Sequence, residues 1–422
     1  MMGGLLSAHR LGILAVIISV LIVGNAGKAA ALKGIVVDSK TGIGIAGAVV
    51  TLDDAATVAD SAGGFELKRT SNSVKIRAAG YRRLSVSTAT IGDGANFRLD
   101  PFTPKALYLS SYGIGSKVLR DAALTLIRET ELNAVVVDLK GDRGWVAYPT
   151  AVPLATEIGA RPITTIRDLS EFVRSLHEEN IYAIARIVVF KDDPLATARP
   201  DLAVRREDGV IFRDRENLAW VDPFRREIWD YNIALSIEAA AAGFDEIQFD
   251  YLRFPDDPHI RLSEASTEVA RVRAINGFLI RARDALRPYN VFLAVDVFGY
   301  ICWNLNDTHI GQRLEDLAPL VDYVSPMLYP SGFQFGIPGY SDPVEHPYDI
   351  VHRSLDRARQ RTGLPAQHFR PWLQAFKDYA FDRRAFDADE VKAQIKAADD
   401  FGSAGWMLWN PRNVYQDYGF AP

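Results

Sequence analysis

Cysteine is nearly absent from this chain of 422 residues: Cys302 stands alone. One thiol excludes an intramolecular disulfide and a cysteine-rich metal centre. No histidine arrangement accompanies it as for a catalytic thiol, so a small buried side chain is expected there. His177, His259, His309, His346, His352 and His368 are scattered, and none pairs with a carboxylate at metal-ligand spacing. A metal-dependent esterase or deacetylase therefore lacks its usual ligand pattern, and no metal or other cofactor is indicated. Excess charge is also missing: 48 basic residues face 53 acidic ones, a net of -5. That balance offers no general electrostatic case for binding nucleic acid. No glycine-rich phosphate loop follows a first strand, which removes the main sign of a dinucleotide fold.

Long apolar runs are lacking too, with one exception at Leu11–Val23 near the start. It falls short of the ~20 residues that span a bilayer, and Ala29 and Ala31 close it with an A-x-A-like end. Residues 1–31 are expected to direct export to an extracytoplasmic, secreted or periplasmic site. The alternative is an uncleaved membrane anchor over residues 11–26. No protein partner is indicated.

What is present is a chain 48% apolar, enough for a large core and more than one domain. Residues 32–100 read as short strands cut by turns, in "LKGIVVD", "AGAVVTL", "GGFEL", "NSVKIRAAGY" and "RRLSVST", as in a small β-sandwich. Asp38 and Asp60 are expected to satisfy local turn backbone. The prolines of "DPFTPKAL" mark a boundary, and residues 101–422 change rhythm. Eight strand-like segments alternate mostly with helical ones, around 116–130, 165–180, 225–242, 266–287, 310–318, 348–361 and 387–400. The count predicts an α/β fold, a (β/α)8 TIM barrel behind the small β-sandwich.

In "GFDEIQFDYLRFP", a period of two sets Glu246, Gln248 and Asp250 on one face and Ile247, Phe249 and Tyr251 on the other. In a barrel the first set points inward, and Asp250 reaches the C-terminal mouth where barrel enzymes place their chemistry. Asp296 ends the next strand. Asp138 and Lys140 end the second, Arg186 lies in the third, Tyr329 ends the sixth, Trp372 and Gln374 occupy the seventh, and Trp409 with Asn410 closes the eighth. These groups, together with Glu246 and Gln248, are candidate substrate ligands around the carboxylates; an internal salt bridge of Asp138 with Lys140 or Arg186 is the structural alternative. Trp303, Tyr329, Trp372, Trp406 and Trp409 are expected near one mouth, where rings stack on sugar faces. The long segment between the third and fourth strands is a candidate cleft wall.

Two resemblances follow from these passages. "GIVVDSKTGIGIAGAVVTL", "DSAGGFEL" and "IRAAGYRRLSV" resemble the carboxypeptidase regulatory-like domain, which implies a spacing, stabilising or weak carbohydrate-contact role. Residues 105–415, through "TELNAVVVDLKGDRGWVAYP", "YAIARIVVFKDDPLATARPDLAV", "GFDEIQFDYLRFP", "VDVFGY", "VDYVSPMLYPSGF", "RPWLQAF" and "GWMLWNPRNVY", resemble the putative glycoside hydrolase domain of bacterial proteins, a TIM-barrel family distantly amylase-like. The resemblance implies hydrolysis of an O-glycosidic bond in a polysaccharide or envelope glycan. It makes Asp250 the nucleophile, and Asp296 the acid/base where the amylase-like plan has a glutamate. Glu246 is an alternative contributor or a buried network residue. Gln248 stands where that plan has an arginine, so Arg186 or Arg253 is expected to supply the positive charge. One carboxyl must protonate the leaving oxygen while the other attacks or activates water; about 5 to 5.5 Å between them favours retention and about 6.5 to 9.5 Å inversion. A noncatalytic carbohydrate-binding or envelope scaffold is the alternative, and barrel architecture alone also leaves a sugar-phosphate lyase or isomerase open.

Overall fold

The computed structural model describes residues 31–421 other than 54, 69–71, 88, 90 and 93; the export segment expected over residues 1–31 lies almost wholly outside them. Seven strands come first: β1 (Ala31–Asp38), β2 (Val49–Leu52), β3 (Ala55–Val58), β4 (Gly64–Lys68), β5 (Ser73–Arg77), β6 (Leu84–Ser87) and β7 (Ala95–Leu99). They form a three-stranded sheet, β4-β1-β7, and a four-stranded sheet, β3-β2-β5-β6. Alternating residues such as Val36, Val50, Ile76 and Phe97 meet in one core between them. Asp38 accepts hydrogen bonds from the Lys40 and Thr41 backbone, and Asp60 from that of Ala62 and Gly64. Both are turn residues, as their spacing predicts.

Ten strands follow: β8 (Lys105–Leu109), β9 (Ala134–Lys140), β10 (Tyr182–Val188), β11 (Arg205–Arg206), β12 (Glu246–Asp250), β13 (Ile260–Arg261), β14 (Phe292–Phe298), β15 (Tyr323–Met327), β16 (Trp372–Gln374) and β17 (Trp406–Trp409). All but β11 and β13, which pair with each other, close into an eight-stranded barrel in chain order. Its strand pairs are parallel throughout. Helices at 117–129, 169–178, 226–242, 268–286, 347–362 and 388–401 supply the outer layer, so the structure is a (β/α)8 barrel. Outward side chains such as Ile247, Phe249, Val295 and Leu373 meet these helices. Phe249 packs edge-on to Phe278 of the 268–286 helix, and burying one such ring contributes about 1.5–3 kcal/mol. Gly405 opens β17 at φ 85°, where a side chain would collide with the Pro104 carbonyl.

One expected helix is much shorter than its pattern suggests. Only Leu314–Leu317 is α-helical within 310–318. Gln312 is instead buried at the barrel mouth, donating to the carbonyls of Leu252 and Asp296 and accepting from the Phe298 N–H. Holding two strand ends together displaces the first helical turn.

The seven-stranded module docks on the opposite end of the barrel. Arg77 pairs with Asp322 at 3.3 Å and Arg83 with Asp245 at 2.7 Å. The Gly80 N–H donates to Tyr323 Oη, and Phe102 packs on Tyr182. Asp245, Asp322, Tyr323 and Tyr182 all lie where barrel strands begin. The module thus covers the N-terminal end and leaves the mouth open.

Candidate active site

Asp250 is the last residue of β12, and the chain turns sharply after it. Tyr251 has φ 47°, in the left-handed region that an aromatic residue seldom occupies. The turn brings its N–H back onto Asp250 Oδ1 at 2.5 Å. It also breaks the alternation: Tyr251 still packs on Trp220 of the outer core, but it lines a pocket of about 250 Å³ beside Asp250.

Arg186, inward from the neighbouring β10, organises the mouth. Its Nη1 donates to Asp138 Oδ1 at 2.6 Å, and its Nη2 to Asp142 Oδ1 at 2.9 Å and Asp250 Oδ2 at 2.6 Å. Its Nε donates to Asp250 Oδ2 at 3.0 Å and lies 4.0 Å from Asp296 Oδ2. The Asp250 and Asp296 oxygens are therefore no farther apart than the sum of those last two distances. Burial opposes the guanidinium charge, but Asp138, Asp250 and Asp142 hold it protonated more firmly than usual. Of the two arginines expected to stand in for the missing amylase-like one, Arg186 contacts Asp250.

The other carboxyls behave differently. Asp296 is wholly buried; Oδ1 accepts from Trp372 Nε1 at 2.7 Å, while Oδ2 has no hydrogen-bond partner among the described residues. Burial first, and then the charge of Asp250, push its pKa well above the usual carboxylate range. Both causes favour the protonated form. Burial also pushes Asp138 up, to about 6, with Asp142 adding to the rise and Arg186 opposing it. Tyr108 Oη donates to its Oδ2 at 2.6 Å.

Of the predicted site residues, Arg186, Asp250, Tyr329, Trp372 and Trp409 line the pocket. Asp296 lies behind the wall, bonded to Trp372, and Asp138 lines an adjoining pocket with Asp142, Glu216 and Trp145. Glu216 and Leu218 are the part of the long β10–β12 connection that reaches this wall. Five expected substrate ligands do other work. Lys140 is buried against Asp192 at 2.7 Å and Asn232, because β9 is irregular after Asp138: Asp138 stands opposite Arg186 but Lys140 opposite Ile187. Glu246 is paired with Arg370 at 2.7 Å and accepts from Tyr182 Oη, deep toward the N-terminal end. Gln248 is wholly buried and donates to Ser325 Oγ. Gln374 donates to Ser331 Oγ and the Phe376 carbonyl. Asn410 faces a neighbouring pocket, but its Nδ2 donates to the carbonyls of Ala375 and Val414.

Two of the five tryptophan and tyrosine rings expected at the mouth lie elsewhere. Trp303 donates to Ser354 Oγ in the 347–362 helix, and Trp406 is buried under Lys105 and Phe420. Cys302 is buried and its thiol pushed up to about 12, as for a packing residue. The sequence reading missed Tyr108, Asp142, Tyr251, Phe298, Tyr300 and Tyr379. Tyr108 was within reach, since it alternates inward with Ala106; Asp142 lies in a loop, where no periodicity points anywhere.

A family model described as a putative glycosyl hydrolase domain matches residues 106–415. No curated protein matches the chain. Among solved structures, the chain is similar to a hypothetical protein from Ruminiclostridium thermocellum ATCC 27405, with 39% identity over 45% of this chain and 97% of that one and a TM-score of 0.41. It is similar in fold to the PgaB (BpsB) glycoside hydrolase domain from Bordetella bronchiseptica, with 13% identity, 76% and 97% of the two chains covered and a TM-score of 0.56. A beta-galactosidase from the psychrophilic Marinomonas ef1 matches with 14% identity, 75% and 56% coverage and a TM-score of 0.53. The eight-stranded barrel and the family match over most of its length agree: the chain belongs to the putative glycosyl hydrolase domain family, and its general role is that of a glycoside hydrolase.

Proposed function

We propose that this protein hydrolyses O-glycosidic bonds of a polysaccharide or cell-envelope glycan in the Arg186 pocket, with Asp250 as nucleophile or electrostatic equivalent and Asp296 as acid/base. The observation that carries the reading is the pairing of unlike carboxyls near one guanidinium. Asp250 has its Oδ2 held by two Arg186 nitrogens, whereas Asp296 is driven to keep its proton and has one oxygen unengaged. Environments that push two carboxyls apart divide acid from nucleophile. The aromatic walls, with Tyr251, Tyr329, Trp372 and Trp409, suit the apolar faces of sugar rings.

A specific observation favours a second assignment of the proton donor. Asp296 is enclosed behind Trp372, while Asp138 borders open space and is shifted to about 6. Under that reading Asp138 is the donor and Asp296 a neutral group restraining the charge of Asp250.

The test is product analysis over a panel of bacterial and plant polysaccharides with the parent, Asp250→Asn, Asp296→Asn and Asp138→Asn. Loss of Asp250 and of the true donor should each lower turnover by roughly 10² to 10⁴ while glycan retention persists. Undiminished hydrolysis in a variant removes that residue from its role. Retention with no turnover by the parent, on a glycan shown to occupy the pocket, turns the reading to a noncatalytic scaffold.

We also propose an extracytoplasmic site of action, supported by the apolar segment Leu11–Val23 ahead of both modules. Among the described residues no helix is long and apolar enough to cross a membrane. Compartment reporters fused after residues 31, 101 and 415 should all report the extracytoplasmic side; a cytoplasmic signal from the last rejects this topology. Sequencing the mature N-terminus separates cleavage from anchoring.

A further inference from the structure

A second pocket, of about 670 Å³, adjoins the first and shares Tyr379 and Trp409 with it. A glycan with one sugar over Asp250 can therefore place a neighbouring sugar here. The walls carry Lys377 and Arg412 and no acidic side chain. Both cations are exposed, and neither enters an ion pair among the described residues. Arg186, by contrast, is engaged by three carboxylates. The pocket on the other side of Trp409 mixes Arg143 with Asp138, Asp142 and Glu216.

The arm is also built to stay in place. Asp378, buried beneath it, accepts from Ser331 Oγ at 2.7 Å and from the backbone N–H of Ala380, Phe381 and Arg383. Burial alone would raise its pKa, but these donors hold it down at about 2, so the loop presenting Lys377 and Tyr379 is anchored by a permanent charge. Asn410 joins the two walls, donating to Ala375 and Val414 and accepting from the Arg412 N–H at 2.9 Å. Phe376 and Tyr379 lie nearly parallel, 10° apart, giving an aromatic surface next to the cations.

We propose that this arm is a subsite for a sugar residue bearing a negative group, so that the substrate is an acidic glycan in which the charged unit neighbours the cleaved linkage. The inference rests on the hydrolytic reading for the position of the cleaved bond, but charge recognition itself is measurable without turnover. Fixed cations favour a carboxylate or a phosphate alike, most strongly at low ionic strength.

The test uses the full chain carrying Asp250→Asn to halt cleavage, with and without Lys377→Gln and Arg412→Gln together. Binding is compared for two matched pairs of polymers: polygalacturonate against its carboxyl-reduced form, and phosphomannan against its dephosphorylated form. In at least one pair the charged member should bind roughly five- to tenfold more tightly, and the double substitution should abolish that preference. The pair that responds distinguishes carboxylate from phosphate. Equal affinity within both pairs, or a preference that survives the double substitution, overturns the subsite. Lys377 and Arg412 are exposed, so their loss leaves the fold intact; if Asp250→Asn does not accumulate, the same comparison is made on the uncrippled chain in brief incubations. Charge-dependent binding with no hydrolysis by the parent keeps the subsite and sinks only the hydrolytic reading.

Discussion

Arg186 carries one positive charge and faces Asp138, Asp142 and Asp250 within hydrogen-bonding distance and Asp296 at 4.0 Å. Such a set keeps protons where desolvation is greatest. The alkaline limb of kcat/KM reports when the donor loses its proton, and it separates the two assignments. With Asp296 as donor the limb is raised well above the ordinary carboxylate range by burial and by the charge of Asp250. Trp372→Phe then moves it higher still, because the indole N–H favours the charged carboxylate and is lost while the ring is kept. With Asp138 as donor the limb falls near 6, Asp138→Asn removes it, and Trp372→Phe leaves it in place. A limb indifferent to both substitutions defeats both assignments.

The loops after the strands set the shape of the mouth, and two of them are fastened by a buried polar side chain. Gln312 ties the ends of β12 and β14, and Asp378 fastens the loop after β16. Replacing Asp378 with alanine leaves the Ser331 hydroxyl and three N–H groups without their acceptor, at a cost of about 2–4 kcal/mol. Urea unfolding of Asp378→Ala should show that loss. Its sign with pH is also set: a carboxylate held at about 2 contributes fully above the unfolded value of 3.8 and loses its contribution as pH falls through 2. The parent should therefore lose stability over that acid range more steeply than Asp378→Ala, and equal slopes would contradict this anchoring.

On the scale of the whole chain, the seven-stranded module and the candidate mouth occupy opposite ends of the barrel. Arg77→Ala with Arg83→Ala removes the cations from Asp322 and Asp245 and should destabilise the protein by about 2–4 kcal/mol, with turnover per folded molecule preserved. Thermal unfolding and active-site-normalised rates check both halves. Asp245 is opposed by burial but held below its ordinary pKa by His177, Arg83 and the Ala183 N–H. Its contribution is present above 3.8 and fades as pH drops below, so the deficit of the double variant should shrink in acid. A fall in turnover equal to that of an active-site variant would mean that the module acts on the mouth after all.

Periodicity and strand count carried the sequence a long way: the eight strands, the inward face of Glu246, Gln248 and Asp250, and the convergence of Asp138, Arg186 and Asp250 were all legible. A period of two reports the face of a strand but not the depth along it. Glu246 shares a face with Asp250 yet lies roughly 13 Å further down the strand, where it serves Arg370. Nor does it register local departures from regular backbone, such as the shift that turns Lys140 toward Asp192 or the left-handed turn that brings Tyr251 into the pocket. The sequence by itself determined the barrel and its charged inner face, because these depend on alternation between neighbours in the chain. Which carboxyl favours its proton, and which loops bring Lys377 and Arg412 to one pocket, only the tertiary structure decided, because burial and charge coupling arise between residues far apart in the chain.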